Sequence, residues 1–148
     1  MSLALLPSAV LLVAFSGSAI AGQDEAETCA REQVSNAYPL GWAVRTLTRI
    51  DLGQGETCNY LLTLYAGVEY RIASCGDLTT REVDLVLYDG QGQPKAQDVS
   101  TGRAGELWFR PPTTATYLLA VRVSERTPPP ATQPGVSRSS VATAVMYK

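Results

Sequence analysis

The sequence predicts an all-β fold, an antiparallel β-sandwich or jelly roll of seven to eight strands with a short N-terminal helix. Apolar and polar residues alternate along most of the chain after Trp42, which is typical of strands with one buried face. Turn signals rich in Gly, Asp and Pro separate these runs at short intervals, as in sandwiches and barrels. Without its first 21 residues, the 148-residue chain has the length of one domain with its own core.

Residues 1–21 have the pattern of a secretory signal peptide that is cleaved. Residues 3–15 form an apolar run, and Ala19 and Ala21 supply the small side chains needed before a cleavage site. A membrane anchor usually needs about 20 predominantly apolar residues, and this run is shorter and interrupted. We therefore expect a periplasmic or extracellular protein that begins at Gly22 and has no membrane anchor after cleavage.

Residues 22–41 are predicted to form a helical extension that precedes the β-domain of residues 42–148. The helix is expected over 24–38, with acidic residues in its first turn, and Pro39 and Gly41 end it. Its inward side chains are expected to be Cys29, Gln33 or Val34, and Ala37.

Period-two alternation predicts which side chains of the first four strands face the core. Turns at 53–55, at Gly67 and at 89–92 separate or end these strands. The predicted inward sets are Trp42, Val44, Ile50 and Leu52; Cys58, Tyr60, Leu62 and Leu64; Val68, Tyr70 and Ile72; and Val83, Leu85 and Leu87.

The second half of the chain predicts four further elements and one long loop. A weak strand at 95–100 leads to a strand at 106–110. The next strand, 116–124, has an inward row of Tyr117, Leu119, Val121 and Val123. The Pro-rich segment 125–140 is interpreted as a loop that crosses to a last strand at 141–147, with an interdomain linker as the alternative.

Several sequence motifs resemble the bacterial pre-peptidase C-terminal domain. They are residues 64–72 (LYAGVEYRI), residues 84–89 (DLVLYD) with Gly92 and Asp98, and residues 116–121 (TYLLAV). The resemblance implies a jelly-roll-like sandwich that serves secreted enzymes as a non-catalytic accessory module. Some members of that family bind calcium or polymeric substrates. No peptidase domain is visible in this sequence, and Ala115 stands where relatives often have Gly.

Three cysteines in an exported chain predict one disulfide and one remaining thiol. A two-residue turn at 66–67 would place Cys58 directly opposite Cys75. The hydrophobic pattern instead favours a register shifted by one residue. Cys58–Cys75 is the preferred pairing, and pairings that involve Cys29 remain open because geometry decides.

Four carboxylates near one predicted hairpin are candidate calcium ligands. Glu82 and Asp84 share the polar face of a strand, and Asp89 and Asp98 bracket the turn that follows. Oxygen ligands of this type suit Ca²⁺. The preferred interpretation is that they form turns and keep the surface soluble, so that no cofactor is expected. Calcium is the alternative and the one candidate cofactor.

Three aromatic residues are candidate binding residues because they face away from the inward rows of their strands. These residues are Trp108, Tyr88 and Tyr65. Exposed aromatic rings stack on sugar rings or peptides. The preferred interpretation is nevertheless that a second sheet, the helix or the Pro-rich loop covers them, and ligand binding is the alternative. Trp42, whose partners in the alternation are aliphatic, is expected in the core.

Composition narrows the functional classes. The chain has no histidine, which removes the commonest general base, metal ligand and triad member. Its net charge is −2 without a basic run, so no nucleic-acid partner is expected. We expect a non-catalytic exported binding or accessory protein for a protein or polysaccharide of the envelope or extracellular space. The alternatives are a secreted inhibitor of a lysozyme or protease, and a carboxylate-dependent hydrolase.

Overall fold

Two antiparallel four-stranded sheets pack face to face, and one helix lies on the outer face of one of them. The computed structural model describes residues 21–129, 131–132 and 138–148. The predicted signal peptide, residues 1–21, lies outside these residues except for Ala21. The elements in chain order are α1 (Ala21–Ala37), a 3-10 helix (Tyr38–Leu40), β1 (Ala43–Gly53), β2 (Thr57–Leu64), β3 (Tyr70–Gly76), β4 (Thr80–Tyr88), β5 (Pro94–Asp98), β6 (Ala104–Phe109), β7 (Ala115–Arg126) and β8 (Arg138–Tyr147).

The predicted β-sandwich with a short N-terminal helix is confirmed. Sheet A has the strand order β1-β8-β3-β6, and sheet B has the order β2-β7-β4-β5. The inward rows predicted for β2, β4 and β7 meet between the sheets, where Leu64, Leu85 and Val121 are fully buried. Alternation gives the right face in these strands because each has one face in the core.

Strand β1 departs from simple alternation. The sequence pattern places Trp42, Val44, Ile50 and Leu52 on one face, and this prediction is wrong. A β-bulge shifts the pairing with β8 between Val44 and Thr46, and such a bulge re-aims the side chains on one side of it. Ile50 and Leu52 face the sandwich core. Trp42 is buried as expected, but in a second cluster between sheet A and α1.

The disulfide joins Cys29 to Cys75, so the predicted Cys58–Cys75 pairing is wrong. The reason is topological, because β2 pairs with β7 in sheet B whereas β3 pairs with β6 and β8 in sheet A. Residues 65–69 therefore cross between the sheets and do not close a hairpin. Cys58 faces the core from sheet B as a free thiol, whereas Cys75 packs with α1 on the outer face of sheet A.

Helix α1 packs on sheet A through small side chains. Ala26, Ala30 and Ala37 are fully buried, and small residues let a helix approach a sheet closely. Cys29, which was expected on the inward face, forms the disulfide, and Gln33 donates a hydrogen bond from Nε2 to Sγ of Cys75 over 3.2 Å. In the described part of the chain, no helix has the length and apolar character of a membrane span.

One end of the sandwich is closed by buried polar groups, and we call it the polar end. It comprises residues 53–56, 76–80, 99–103, 126–129 and 138–140. The buried Asp77 carboxylate accepts hydrogen bonds from the backbone N–H of Thr79 at 2.9 Å and of Ser140 at 2.8 Å. Arg126, also buried, donates to Ser139 Oγ over 3.2 Å. The predicted 125–140 loop begins here, although β7 reaches Arg126 and part of the loop lies outside the described residues.

Candidate binding surface

The opposite end of the sandwich carries most of the aromatic side chains, and we call it the aromatic end. It comprises residues 38–45, 65–71, 106–114 and 147–148. Antiparallel pairing creates it, because Tyr147 at the end of β8 lies opposite both Ala43 and Tyr70, and Tyr70 lies opposite Phe109. Every described aromatic residue except Tyr60 lies at this end or in a strand segment that reaches it. These residues are Tyr38, Trp42, Tyr65, Tyr70, Tyr88, Trp108, Phe109, Tyr117 and Tyr147.

Trp108 is the central exposed ring of the aromatic end. Its side chain is 55% exposed, yet it is held on two sides. The Trp42 ring contacts it edge-on with centroids 5.0 Å apart, and the Arg71 guanidinium lies 5.0 Å from its centroid. Both geometries are favourable for an indole ring. The ring is therefore positioned in advance while one of its sides stays open to a partner.

Arg71 is itself fixed by a two-pronged ion pair. Its Nε and Nη2 atoms donate to the two carboxylate oxygens of Glu106 at 2.7 and 3.0 Å. A planar guanidinium matches a carboxylate in this way and loses little further freedom. The pair is mostly buried, since the Arg71 side chain is 14% exposed. It therefore supports the position of Trp108 rather than acting as a free surface charge.

Two shallow pockets flank Tyr70 at this end. The first has a volume of about 280 Å³ and is lined by Glu69, Tyr70, Trp108, Phe109 and Arg110. The second has a volume of about 320 Å³ and is lined by Arg45, Tyr65, Val68, Tyr70 and Tyr147. The Tyr70 hydroxyl accepts a hydrogen bond from the backbone N–H of Tyr65 at 3.0 Å. Tyr70 is thus a fixed wall between two small concavities.

The two loops of the aromatic end are joined by hydrogen bonds. The backbone N–H of Gly67 donates to the carbonyl of Pro111 at 3.0 Å, and the N–H of Ala66 donates to Thr114 Oγ1 at 2.9 Å. Gly67 has a φ of 76°, a left-handed conformation that favours glycine. Because each loop holds the other, residues 65–69 and 110–114 form one hydrogen-bonded loop pair whose shape is largely set before binding.

Two of the three predicted binding aromatics lie at this surface. Trp108 and Tyr65 are both 55% exposed and line the first and second pockets respectively. Tyr88, the last residue of β4, reaches the same end of the sandwich on the outer face of sheet B, where it is half-buried opposite Leu118. The structure thus places Trp108 and Tyr65 at the two pockets, and Tyr88 lines neither of them.

Hydrogen-bond partners are present for three of the four predicted calcium ligands, Asp84, Asp89 and Asp98, and the second carboxylate oxygen of Asp84 is buried without one within the described residues. Asp98 bridges the β5–β6 connection, because its Oδ2 accepts the Glu106 N–H at 2.7 Å and its Oδ1 accepts the Ser100 N–H at 3.0 Å. Burial is the largest influence on the Asp98 pKa and raises it. The hydrogen bonds from Ser100 and Glu106 outweigh burial, so that the pKa lies below its ordinary value.

The other three carboxylates are spread along β4 and its turn. Asp89 accepts the Gln93 N–H at 2.9 Å and pairs with Lys95 at 3.0 Å. These contacts, the backbone bond first, lower the pKa of Asp89. Asp84 accepts from the Ser124 hydroxyl, and Glu82 lies at an irregularity in the β4–β7 pairing. Among the described residues, no three acidic or Cys side chains meet as a metal site requires. Calcium binding by these residues stays a prediction.

Three residues of the aromatic end were missed by sequence reasoning. Alternation places Arg71 on the face of β3 that points away from the core, so this orientation was available from the sequence. Its position opposite Trp108 depends on the pairing of β3 with β6, which no local pattern shows. Arg45 and Tyr147 line the second pocket. Arg45 lies at the β-bulge of β1, and Tyr147 is the last residue of β8, so neither position could be read from the alternation.

Comparisons with solved structures give neighbours of low similarity, among them two proteins of known structure. No family model matches the chain, and no curated protein does. Among solved structures, Aeromonas hydrophila PliG, a periplasmic lysozyme inhibitor of g-type lysozyme, is 16% identical with a TM-score of 0.47, covering 74% of this chain and 90% of its own. The SPBc2 prophage-derived protein YomS is 12% identical with a TM-score of 0.33, covering 70% and 97%. Similarity at this level carries no argument about function, and the pre-peptidase C-terminal resemblance stays a prediction.

Proposed function

We propose that this protein is an exported, non-catalytic binding protein that contacts a protein partner through its aromatic end. The observation that carries the proposal is the pair of half-exposed rings at one end, Trp108 and Tyr65. Trp42 and Arg71 hold the Trp108 ring, and a hydrogen bond to the Tyr70 hydroxyl holds the Tyr65 backbone. Trp, Tyr and Arg are the residue types most enriched at the energetic centres of protein interfaces. A ring that is already positioned loses little conformational entropy on binding.

The export part of the proposal is supported by the disulfide. The Cys29–Cys75 bond ties α1 to sheet A, and such bonds form and persist in oxidising compartments such as the periplasm and the extracellular space. This support is independent of the signal-peptide pattern in residues 1–21. Together they favour a partner in the envelope or outside the cell.

The size of the pockets favours a macromolecular partner. Volumes of about 280 and 320 Å³ lie at the lower limit of cavities that enclose small ligands. Arginine side chains line both pockets beside the aromatic rings, namely Arg110 in the first and Arg45 in the second. This mixture of open, shallow and aromatic surface suits a protein contact better than the enclosure of a metabolite.

The second candidate function is inhibition of a lysozyme or protease. The observation that favours it is the loop pair formed by residues 65–69 and 110–114, which is joined by the Gly67–Pro111 and Ala66–Thr114 hydrogen bonds. Loops that are held in place before binding lose less conformational entropy when they contact an enzyme. Inhibition would then be one outcome of the binding that we propose.

A matched pair of variants tests the proposed surface. Trp108→Ala removes an exposed ring at the aromatic end, and Leu78→Ala removes an exposed side chain, 65% accessible, at the polar end. In a pull-down from periplasmic extract followed by affinity measurement, we expect Trp108→Ala to weaken partner binding about 10- to 100-fold. Leu78→Ala should bind like the wild type. Equal recovery of partners by the wild type and Trp108→Ala would reject the aromatic end as the contact.

An activity panel separates the two candidate functions. The purified protein is added to lysozymes and proteases of several classes, and their rates are measured with the wild type and with Tyr65→Ala. Inhibition that is weakened by Tyr65→Ala supports the inhibitor function. If the wild type recovers a partner yet slows none of these enzymes, the inhibitor function is rejected and the binding function is kept.

A further inference from the structure

The sandwich has four edge strands, and they differ in how well they are protected. β1 and β6 are the edges of sheet A, and β2 and β5 are the edges of sheet B. An edge strand presents unpaired N–H and C=O groups that another strand can pair with. Natural proteins block such edges with charges, prolines, bulges, short strands or covering loops.

Two of the four edges carry these blocking features on the strand itself. β1 holds Arg45, Arg49 and Asp51 and is interrupted by the bulge after Val44. β5 has only five residues and includes Pro94 and Lys95. Proline removes a donor from the ladder, and lysine opposes an incoming strand.

The β6 edge is covered by the neighbouring connection. Asp98, at the end of β5, accepts the backbone N–H of Glu106 in β6 at 2.7 Å. The same connection returns to β4, where the N–H of Val83 donates to the Gly102 carbonyl at 2.9 Å. An incoming strand would therefore have to displace a carboxylate on this side.

Within residues 21–129, 131–132 and 138–148, the β2 edge lacks these protections. Its eight residues, TCNYLLTL, include no charged residue, proline or glycine, and it pairs with β7 without a bulge. Among the described residues, β7 is its only strand partner. Leu61, at its centre, is 74% exposed. In the part of the chain that the structure describes, the side chain that shields this edge is Arg45, which donates to the Thr63 carbonyl at 2.6 Å.

We infer that the β2 edge pairs antiparallel with β2 of a second copy of this chain, with Leu61 at the two-fold axis. The order of polar and apolar residues in β2 is symmetric about Leu61. Asn59 would lie opposite Thr63 of the other copy, and Tyr60 opposite Leu62. Polar groups then meet polar groups, and apolar groups meet apolar ones. A self-complementary, uncharged strand is what an isologous pairing needs.

The outer face of sheet B continues this match. Leu61 lies opposite Leu118 of β7, which in turn lies opposite Tyr88 of β4. Pairing of the two copies would join these rows across an eight-stranded sheet and cover the exposed Leu61 side chains. Arg45 would release the Thr63 carbonyl, and because Arg45 is exposed, water can replace that hydrogen bond at little cost.

Analytical ultracentrifugation of the wild type and two lysine variants tests the inference. Leu61→Lys would place two like charges opposite each other at the axis, whereas Val99→Lys introduces the same charge at a 53% exposed site beyond the β5 end. We expect the wild type and Val99→Lys to dimerise between micromolar and submillimolar concentration, with the dissociation constant of Leu61→Lys raised at least about 10-fold. A monomeric wild type, or an equally dimeric Leu61→Lys, would overturn the inference.

Amide hydrogen exchange on the wild type provides a second measurement if Leu61→Lys fails to fold. The Thr63 carbonyl faces the open edge, as its contact with Arg45 shows, so the alternating backbone groups of Leu61 and Asn59 face it as well. In the dimer, the amides of Asn59, Leu61 and Thr63 should exchange slowly, and their protection should rise with protein concentration. Fast exchange that does not depend on concentration would contradict the pairing.

Discussion

The two ends of this sandwich handle their side chains in opposite ways. At the polar end, the buried Asp77 carboxylate satisfies the N–H groups of Thr79 and Ser140, and Arg126 is buried beside Ser139. At the aromatic end, Trp108 and Tyr65 keep 55% of their surface in water. The polar end thus pairs its buried polar groups in internal hydrogen bonds, whereas the aromatic end leaves aromatic rings exposed.

The contrast separates stability from binding. Exposed rings contribute little to folding, because the apolar area that they leave in water yields no burial energy. Buried, fully paired polar groups are costly to disturb, because an unpaired N–H remains after one partner is removed. Substitutions at the polar end should therefore change the free energy of unfolding. Substitutions of the exposed rings at the aromatic end should mainly change partner binding.

The largest expected effect on stability lies outside both ends, at the disulfide that holds α1 over the buried Trp42 of the aromatic end. Cys29→Ser should lower the free energy of unfolding by about 4 kcal/mol, since the bond closes a sequence separation of 46 residues. Urea unfolding under non-reducing conditions measures it. Cys58→Ala, which removes the free thiol, is the control and should cost about 1 kcal/mol or less. Equal losses in the two variants would argue against the Cys29–Cys75 bond.

The next effect tests the polar end itself. Asp77→Ala should lower the free energy of unfolding by about 3 kcal/mol, because the N–H groups of Thr79 and Ser140 lose their acceptor. Glu125→Ala, which removes only an exposed ion pair with Arg81, should cost less than about 1 kcal/mol. Urea unfolding of both variants gives the comparison, and partner affinity should not change in either. If Asp77→Ala is fully folded and still loses partner affinity, the assignment of stability to one end and binding to the other is wrong.

A smaller effect on stability is expected at Asp98, whose carboxylate accepts a hydrogen bond from the backbone of Glu106 in β6. Its pKa is lowered in the folded protein, so its ionised form stabilises the fold above the unfolded pKa of about 3.9. That contribution is lost as the pH falls through the folded pKa. Asp98→Asn should therefore be less stable than the wild type by about 1 kcal/mol at pH 7. The difference should shrink as the pH falls below about 4. Thermal unfolding across pH checks this, and a difference that is constant with pH would refute it.

Sequence alternation correctly predicted the orientation of side chains in strands that have one buried face. The inward rows of β2, β4 and β7 follow directly from it, and so does the outward direction of Trp108 and Tyr65. Their 55% exposure does not, because the sequence favoured a covering layer over these rings. These predictions succeed because burial of alternate side chains is a local property of a strand.

The errors arose where long-range geometry decides. The turn at 66–67 has the composition of a hairpin, but it crosses between sheets, and the pairing of Cys58 with Cys75 fails for that reason. The bulge after Val44 moves Trp42 to the outer face of sheet A without any signal in the alternation. The contact of Arg71 with Trp108 requires β3 and β6 to be neighbours, which spacing along the chain does not specify.

The most direct test of the aromatic end as the contact surface is hydroxyl-radical footprinting of the protein alone and with its recovered partner. The account predicts that oxidation of Trp108, Tyr65 and Tyr147 falls in the complex, because these exposed side chains become covered. Leu78, exposed at the polar end, should be oxidised equally in both states. Unchanged oxidation of Trp108 and Tyr65 together with protection of Leu78 would contradict the account.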